Sequence, residues 1–116
     1  MLERFFTSPD DLDRLRRGAL SEVLDDVATL LHDESYSPGV ARSYLLIAGH
    51  FSRWLDLEGI GPTGCHADLT ARFRDEHLPL CRCPKPRGMR VHVGPALGHV
   101  LDAMKNRGWR LQLPVS

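Results

Sequence analysis

A chain of 116 residues is one domain at most, and 42% hydrophobic with 26% charged residues is ordinary for a soluble globular protein, not for a disordered or membrane-spanning one. The formal net charge of zero argues against a uniformly basic nucleic-acid binder, yet it conceals an asymmetry: residues 1–34 sum to −5 and residues 35–116 to +5. Three cysteines, Cys65, Cys81 and Cys83, cannot all pair, which excludes a disulfide framework and favours reduced thiols.

At the N-terminus, MLERFFTSPDD has no apolar signal core, so a cytoplasmic location without a membrane partner is expected. Residues 1–8 read as loosely ordered, with Phe5 and Phe6 as packing anchors. Ser8-Pro9-Asp10-Asp11 is a helix start, with a cap, a proline and two acids at the positive end of the helix dipole. The helix that follows runs to about His32, continuous or broken at Gly18. Its buried side is Leu20, Val23, Leu24, Val27, Leu30 and Leu31. Asp33-Glu34-Ser35 is a turn.

The segment from Tyr36 to Gly59 is the best-marked element. Ser37 can cap it, Pro38 sits where a missing N–H costs nothing, and Gly59 fits a left-handed stop. Val40, Tyr44, Ile47, Phe51, Trp54 and Leu55 fall within an arc of roughly 100°, which is a core-facing stripe. The opposite stripe carries Arg42, Leu46, Gly49 and Arg53, with Ser43 and His50 to one side. Such a face is either merely solvated or built for phosphate contact, with Gly49 allowing close approach.

Residues 59–64 form a loop by composition. A shorter helix is expected from about Ala67 to His77, with Leu69 and Phe73 inward and Pro79 enforcing its end. CRCPKPRG, residues 81–88, is a basic, proline-broken loop. The last helix is expected near Pro95, with Leu97, Val100, Leu101 and Met104 on one side and a stop at Gly108, followed by an extended tail. Val91 and Val93 alternate with polar residues over too short a stretch to define a strand. Four or five helices without a strand make a small all-α bundle.

Taken in order, three segments resemble a known family. YSPGVARSYLLIAGHFSRWLDLEGI is similar to the second helix of the N-terminal core-binding domain of tyrosine recombinases of the phage-integrase type. DLTARFRDEHLP resembles the short third helix of that domain. PALGHVLDAMKNRGW resembles its fourth, which ends at a glycine before the inter-domain linker. Residues 18–35 would be the first helix. On this alignment residues 1–17 are an N-terminal arm with a short helix, 18–110 the core-binding domain, and 111–116 the start of the linker.

The resemblance implies a four- to five-helix SAM-like bundle that clamps one side of a DNA duplex in DNA integration and recombination. Its partners would be double-stranded DNA and other recombinase protomers, and it would need no cofactor or metal. Ser37, Arg42 and Ser43 would lie at the helix start that faces DNA, with Arg53 on the same helical face. A helix N-terminus and arginine both suit phosphate, and such contacts position a protein without reading sequence. Where the family often has an arginine in the fourth helix this chain has Gly98, so the basic loop with Arg82, Lys85, Arg87 and Arg90 is expected to substitute. The family's tyrosine nucleophile lies in a C-terminal domain, and this chain stops about where that domain would begin. It therefore reads as a truncated product or fragment without catalysis, with Tyr44 and Tyr36 structural. The competing class is a small helical protein-interaction module with no DNA role, using an apolar patch of Leu45, Leu46 and Leu57.

Cys65-His66, His77 and Cys81-x-Cys83 are residue types that zinc prefers. Cys-x-Cys is tighter than a zinc-knuckle spacing, however, and no second compact pair sits at finger distance. The pattern is read as loop thiols and surface histidines. His50 and His99, on helices, are read as satisfied polar groups. Adjacent acids such as Asp25/Asp26 and Asp75/Glu76 point in different directions from a helix and read as solvated.

Overall fold

The computed structural model describes residues 2–60, 67–81 and 90–107, and these form an all-α fold with no strand among them. The helices are α1 (Pro9–Arg16), α2 (Ser21–Asp33), α3 (Pro38–Leu57), α4 (Ala67–Arg72) and α5 (Val93–Asn106). A 3-10 turn, Leu2–Arg4, precedes α1, and another, Arg90–His92, leads into α5. No described helix is long and apolar enough to cross a membrane.

The long helix α3 is the hub, against which α1, α2 and α5 pack. Its ends follow local chemistry. The Ser37 hydroxyl accepts a hydrogen bond from the Val40 amide at 3.4 Å, Pro38 opens the first turn, and Gly59 leaves it at φ +72°. The expected stripe is buried at Tyr44, Ile47, Phe51, Trp54 and Leu55. Each large apolar side chain so enclosed contributes about 1.5–3 kcal/mol.

Burial on α3 extends well beyond that stripe. Ala41, Leu45 and Ala48 are fully enclosed, and Gly49 lies under Leu15 of α1. The close approach that Gly49 permits is therefore used by α1. Ser43 and His50, which the sequence places beside the polar face, are also buried.

The chain breaks at Gly18 for a reason remote in sequence. A Cβ there would lie 2.0 Å from Ser52 Oγ and 2.7 Å from the Ser52 carbonyl carbon. Across this contact Ala19 N donates to the Ser52 carbonyl at 3.3 Å, and Leu20 N donates to Ser52 Oγ at 2.8 Å. Helix α2 lacks a side-chain cap of its own. The fully buried Ser52 thus supplies one acceptor for its otherwise unpaired first amides.

The N-terminal residues are tied down more firmly than their composition indicates. Leu2, Phe5 and Phe6 are all buried, and Leu2 N donates to Asp25 of α2 at 3.4 Å. Helix α5 begins at Val93 rather than Pro95, and the Val91–Val93 stretch is 3-10 and helical rather than extended. At its other end Arg107 donates to Asp26 and to Glu22 of α2, closing α5 onto α2.

The short fourth helix departs from regularity where its sequence runs into Leu78-Pro79. After Ala67–Arg72 the chain widens into a π-helical turn, Phe73–His77, closed by Leu78 N donating to the Phe73 carbonyl at 2.9 Å. Pro79 ends the helical run as expected. The chain nevertheless makes one more turn, in which Cys81 N donates to the His77 carbonyl at 2.9 Å.

Candidate nucleic-acid interface

The residues expected to face DNA divide into groups. Ser37 and Arg42, in the first turns of α3, are exposed. Arg90 is exposed on the 3-10 turn before α5. That turn is fastened to the start of α3, because Ser43 Oγ and His92 Nδ1 share a hydrogen bond of 2.8 Å. The His92 ring also stands edge-on to Tyr44, with centroids 5.1 Å apart. Arg42 and Arg90 therefore flank one built junction between α3 and the entry to α5.

Ser43 has a different place from the one the sequence assigns it. It is 6% exposed and its hydroxyl is engaged by His92, so it holds the junction together from within. Arg53 is half-buried in a small cleft between α1 and α3 that also contains Asp11, Arg14, Leu15 and Gly49. Although Arg42 and Arg53 share a helical face, Leu15 of α1 covers Gly49 on that face. Arg82, Lys85 and Arg87 lie outside the described residues.

Charge pairing separates the arginines further. Arg14 pairs with Asp11, Arg16 with Glu3, Arg72 with Glu76, Arg74 with Asp75, and Arg107 with Glu22 and Asp26. The Arg107 guanidinium is held even more firmly in its charged form by the hydrogen bond to Asp26. No ion pair engages Arg42 or Arg90 among the described residues.

Neither tyrosine has the surroundings of an exposed nucleophile. Tyr44 is 8% exposed and packed among the rings of Tyr36, His92 and His99 at 5.1–5.7 Å. Tyr36 is half-buried at the helix entry, edge-on to His99.

A second constellation joins His50 to His77 and Cys81, two members of the zinc-type group in the sequence. His50 of α3, only 2% exposed, has its Nε2 3.3 Å from His77 Nε2 and 3.8 Å from Cys81 Sγ. Phe73 lies edge-on to His50, with centroids 5.0 Å apart, and stacks on His77 at 5.4 Å. His77 and Cys81 are one helical turn apart in sequence, a spacing that puts two side chains on one face. Pro79, read as a stop, concealed that signal. His50 gave none, since the covering of its side of α3 depends on a distant helix. Cys65, His66 and Cys83, the other members of the zinc-type group, lie outside the described residues.

Compared with protein-family models, with curated proteins and with solved structures, the chain matches none of them.

Proposed function

We propose that this chain is a DNA-docking domain of the core-binding type found in tyrosine recombinases, contacting the phosphate backbone through the start of α3 and the entry to α5. The observation that carries the reading is the Arg42–Arg90 junction. Two exposed guanidiniums without ion-pair partners among the described residues flank a buried Ser43–His92 hydrogen bond that ties their elements together. Ser37 lies in the turn before, at the positive end of the α3 dipole, where anions are favoured. The helical order of α2 to α5 agrees with the four helices of such a domain.

In this role the chain holds one side of a duplex, and the tyrosine chemistry belongs to a separate catalytic domain. The protein-interaction alternative loses the surface it was given. Leu45 is fully buried and Leu46 partly so, leaving Leu57 exposed without them.

Titration of a random duplex across a salt series tests the proposal. Affinity should fall steeply with salt, and Arg42→Ala and Arg90→Ala should each lower the slope of log K against log salt by about 1. Arg53→Ala, in its cleft beside Asp11, should change the slope less. A flat salt response, or no binding at low salt, would leave the protein-interaction class standing instead.

A further inference from the structure

We infer that His50, His77 and Cys81 form a binding site for a tetrahedral transition-metal ion, with zinc as the fitting ion. Nitrogen and sulfur donors of this kind are the ligands zinc prefers, at about 2.0–2.1 Å for nitrogen and 2.3 Å for sulfur. Those bond lengths put two tetrahedral nitrogen ligands roughly 3.3–3.4 Å apart, and a nitrogen and a sulfur roughly 3.6 Å apart. The two Nε2 atoms stand 3.3 Å apart and Sγ is 3.8 Å from His50 Nε2, with all three atoms within 4.8 Å of one another.

The His77 and Cys81 side chains both approach the same nitrogen, His50 Nε2, as ligands of one ion would. The backbone also fits a ligand site. A π-helical turn sets His77, and the turn closed by Cys81 N on the His77 carbonyl brings Cys81 back onto the same side. Turns of the π type recur at functional sites. The walls from Phe73 and Trp54 exclude water from one side, which strengthens coordination to neutral imidazole and thiolate. A fourth position remains for water or another donor.

Such an ion would join α3 to the end of the π turn, linking positions 27 and 31 residues apart in sequence. It would fix the position of Cys81, which directly precedes Arg82 in the sequence. Metal binding on this pattern is independent of whether the chain binds DNA.

The test is metal uptake by the whole chain, purified without chelators and kept reduced. Elemental analysis should find stoichiometric zinc, and replacement by Co2+ should give the visible bands of tetrahedral cobalt with a near-ultraviolet thiolate-to-cobalt band. Cys81→Ser should abolish that thiolate band. His77→Gln should weaken zinc by more than the about 10- to 100-fold typical of outer-shell partners, while His32→Gln, exposed at the end of α2, should bind as wild type. Far-ultraviolet circular dichroism establishes that each variant is folded. A folded wild type with no tetrahedral cobalt spectrum, or zinc affinity in Cys81→Ser and His77→Gln as high as in wild type, would overturn the site.

Discussion

Among the described residues, two glycines make close approaches, and the atoms they meet decide what each would tolerate. At Gly18 an added methyl meets backbone: the Ser52 carbonyl carbon at 2.7 Å, besides Oγ at 2.0 Å. Neither can retreat without moving α3 away from the α1–α2 turn and breaking the Leu20–Ser52 hydrogen bond. Gly18→Ala should therefore destabilise by about 1–3 kcal/mol, the range for overpacking a tight site. At Gly49 the methyl meets Leu15 Cδ2 at 2.4 Å, the far end of a flexible side chain. Alanine is favoured over glycine in a helix by about 1 kcal/mol, so Gly49→Ala should fall within about 1 kcal/mol of wild type. Ser52→Ala leaves the buried Leu20 amide unpaired and should cost about 1–3 kcal/mol. Chemical denaturation of the three variants gives this order directly, and a Gly49→Ala loss as large as that of Gly18→Ala would contradict it.

Among the elements, the N-terminal 3-10 turn offers a pH signature. The Arg16 guanidinium of α1 donates to Glu3 and pulls its carboxyl from an ordinary 4.5 down to about 2. A carboxylate with a lowered folded pKa stabilises above its unfolded value and loses that contribution as pH falls. The Glu3 contribution is thus complete above about 4.5 and fades toward about 2. Its exposure to solvent keeps it small and salt-sensitive. Thermal melts should show wild type losing more stability than Arg16→Ala across that window, and parallel curves would refute the pairing. Elements whose signals are local were legible in the sequence: Ser37-Pro38 and Gly59 bound α3 by capping chemistry alone. The firm N-terminus and the burial of Ser43 and His50 were not, and the break at Gly18 stood as only one of two readings, because each depends on a partner far along the chain. Ser43 shows the consequence. Periodicity put it beside the polar face of α3, whereas His92, 49 residues on, holds it inside. If Ser43 acts through His92, Ser43→Ala and His92→Ala should weaken DNA binding non-additively, with the double variant little worse than either single one.

At the scale of the whole molecule, zero net charge stops being an objection to DNA binding once the charges are placed. The acids Glu22 and Asp26 gather with Arg107 at the C-terminal end of α5, while Arg90 and His92 stand at its N-terminal end. Between Val93 and Asn106 the helix spans roughly 20 Å at 1.5 Å per residue. At physiological ionic strength the Debye length is about 8 Å, so charge at one end is largely screened from the other; at 0.01 M it is about 30 Å and the ends interact. Removing the cluster as a unit, with Glu22→Gln, Asp26→Asn and Arg107→Ala, raises the net charge by one, since two negative charges and one positive are lost. This variant should bind duplex DNA more tightly than wild type at 0.01 M salt and equally at physiological salt, whereas Arg42→Ala and Arg90→Ala should weaken binding in both. Anisotropy titrations at the two salt concentrations separate the cases. If the triple variant shifted affinity at physiological salt as strongly as either arginine variant, the acidic end would itself lie at the DNA surface, and the duplex would have to run along α5 instead of across the start of α3.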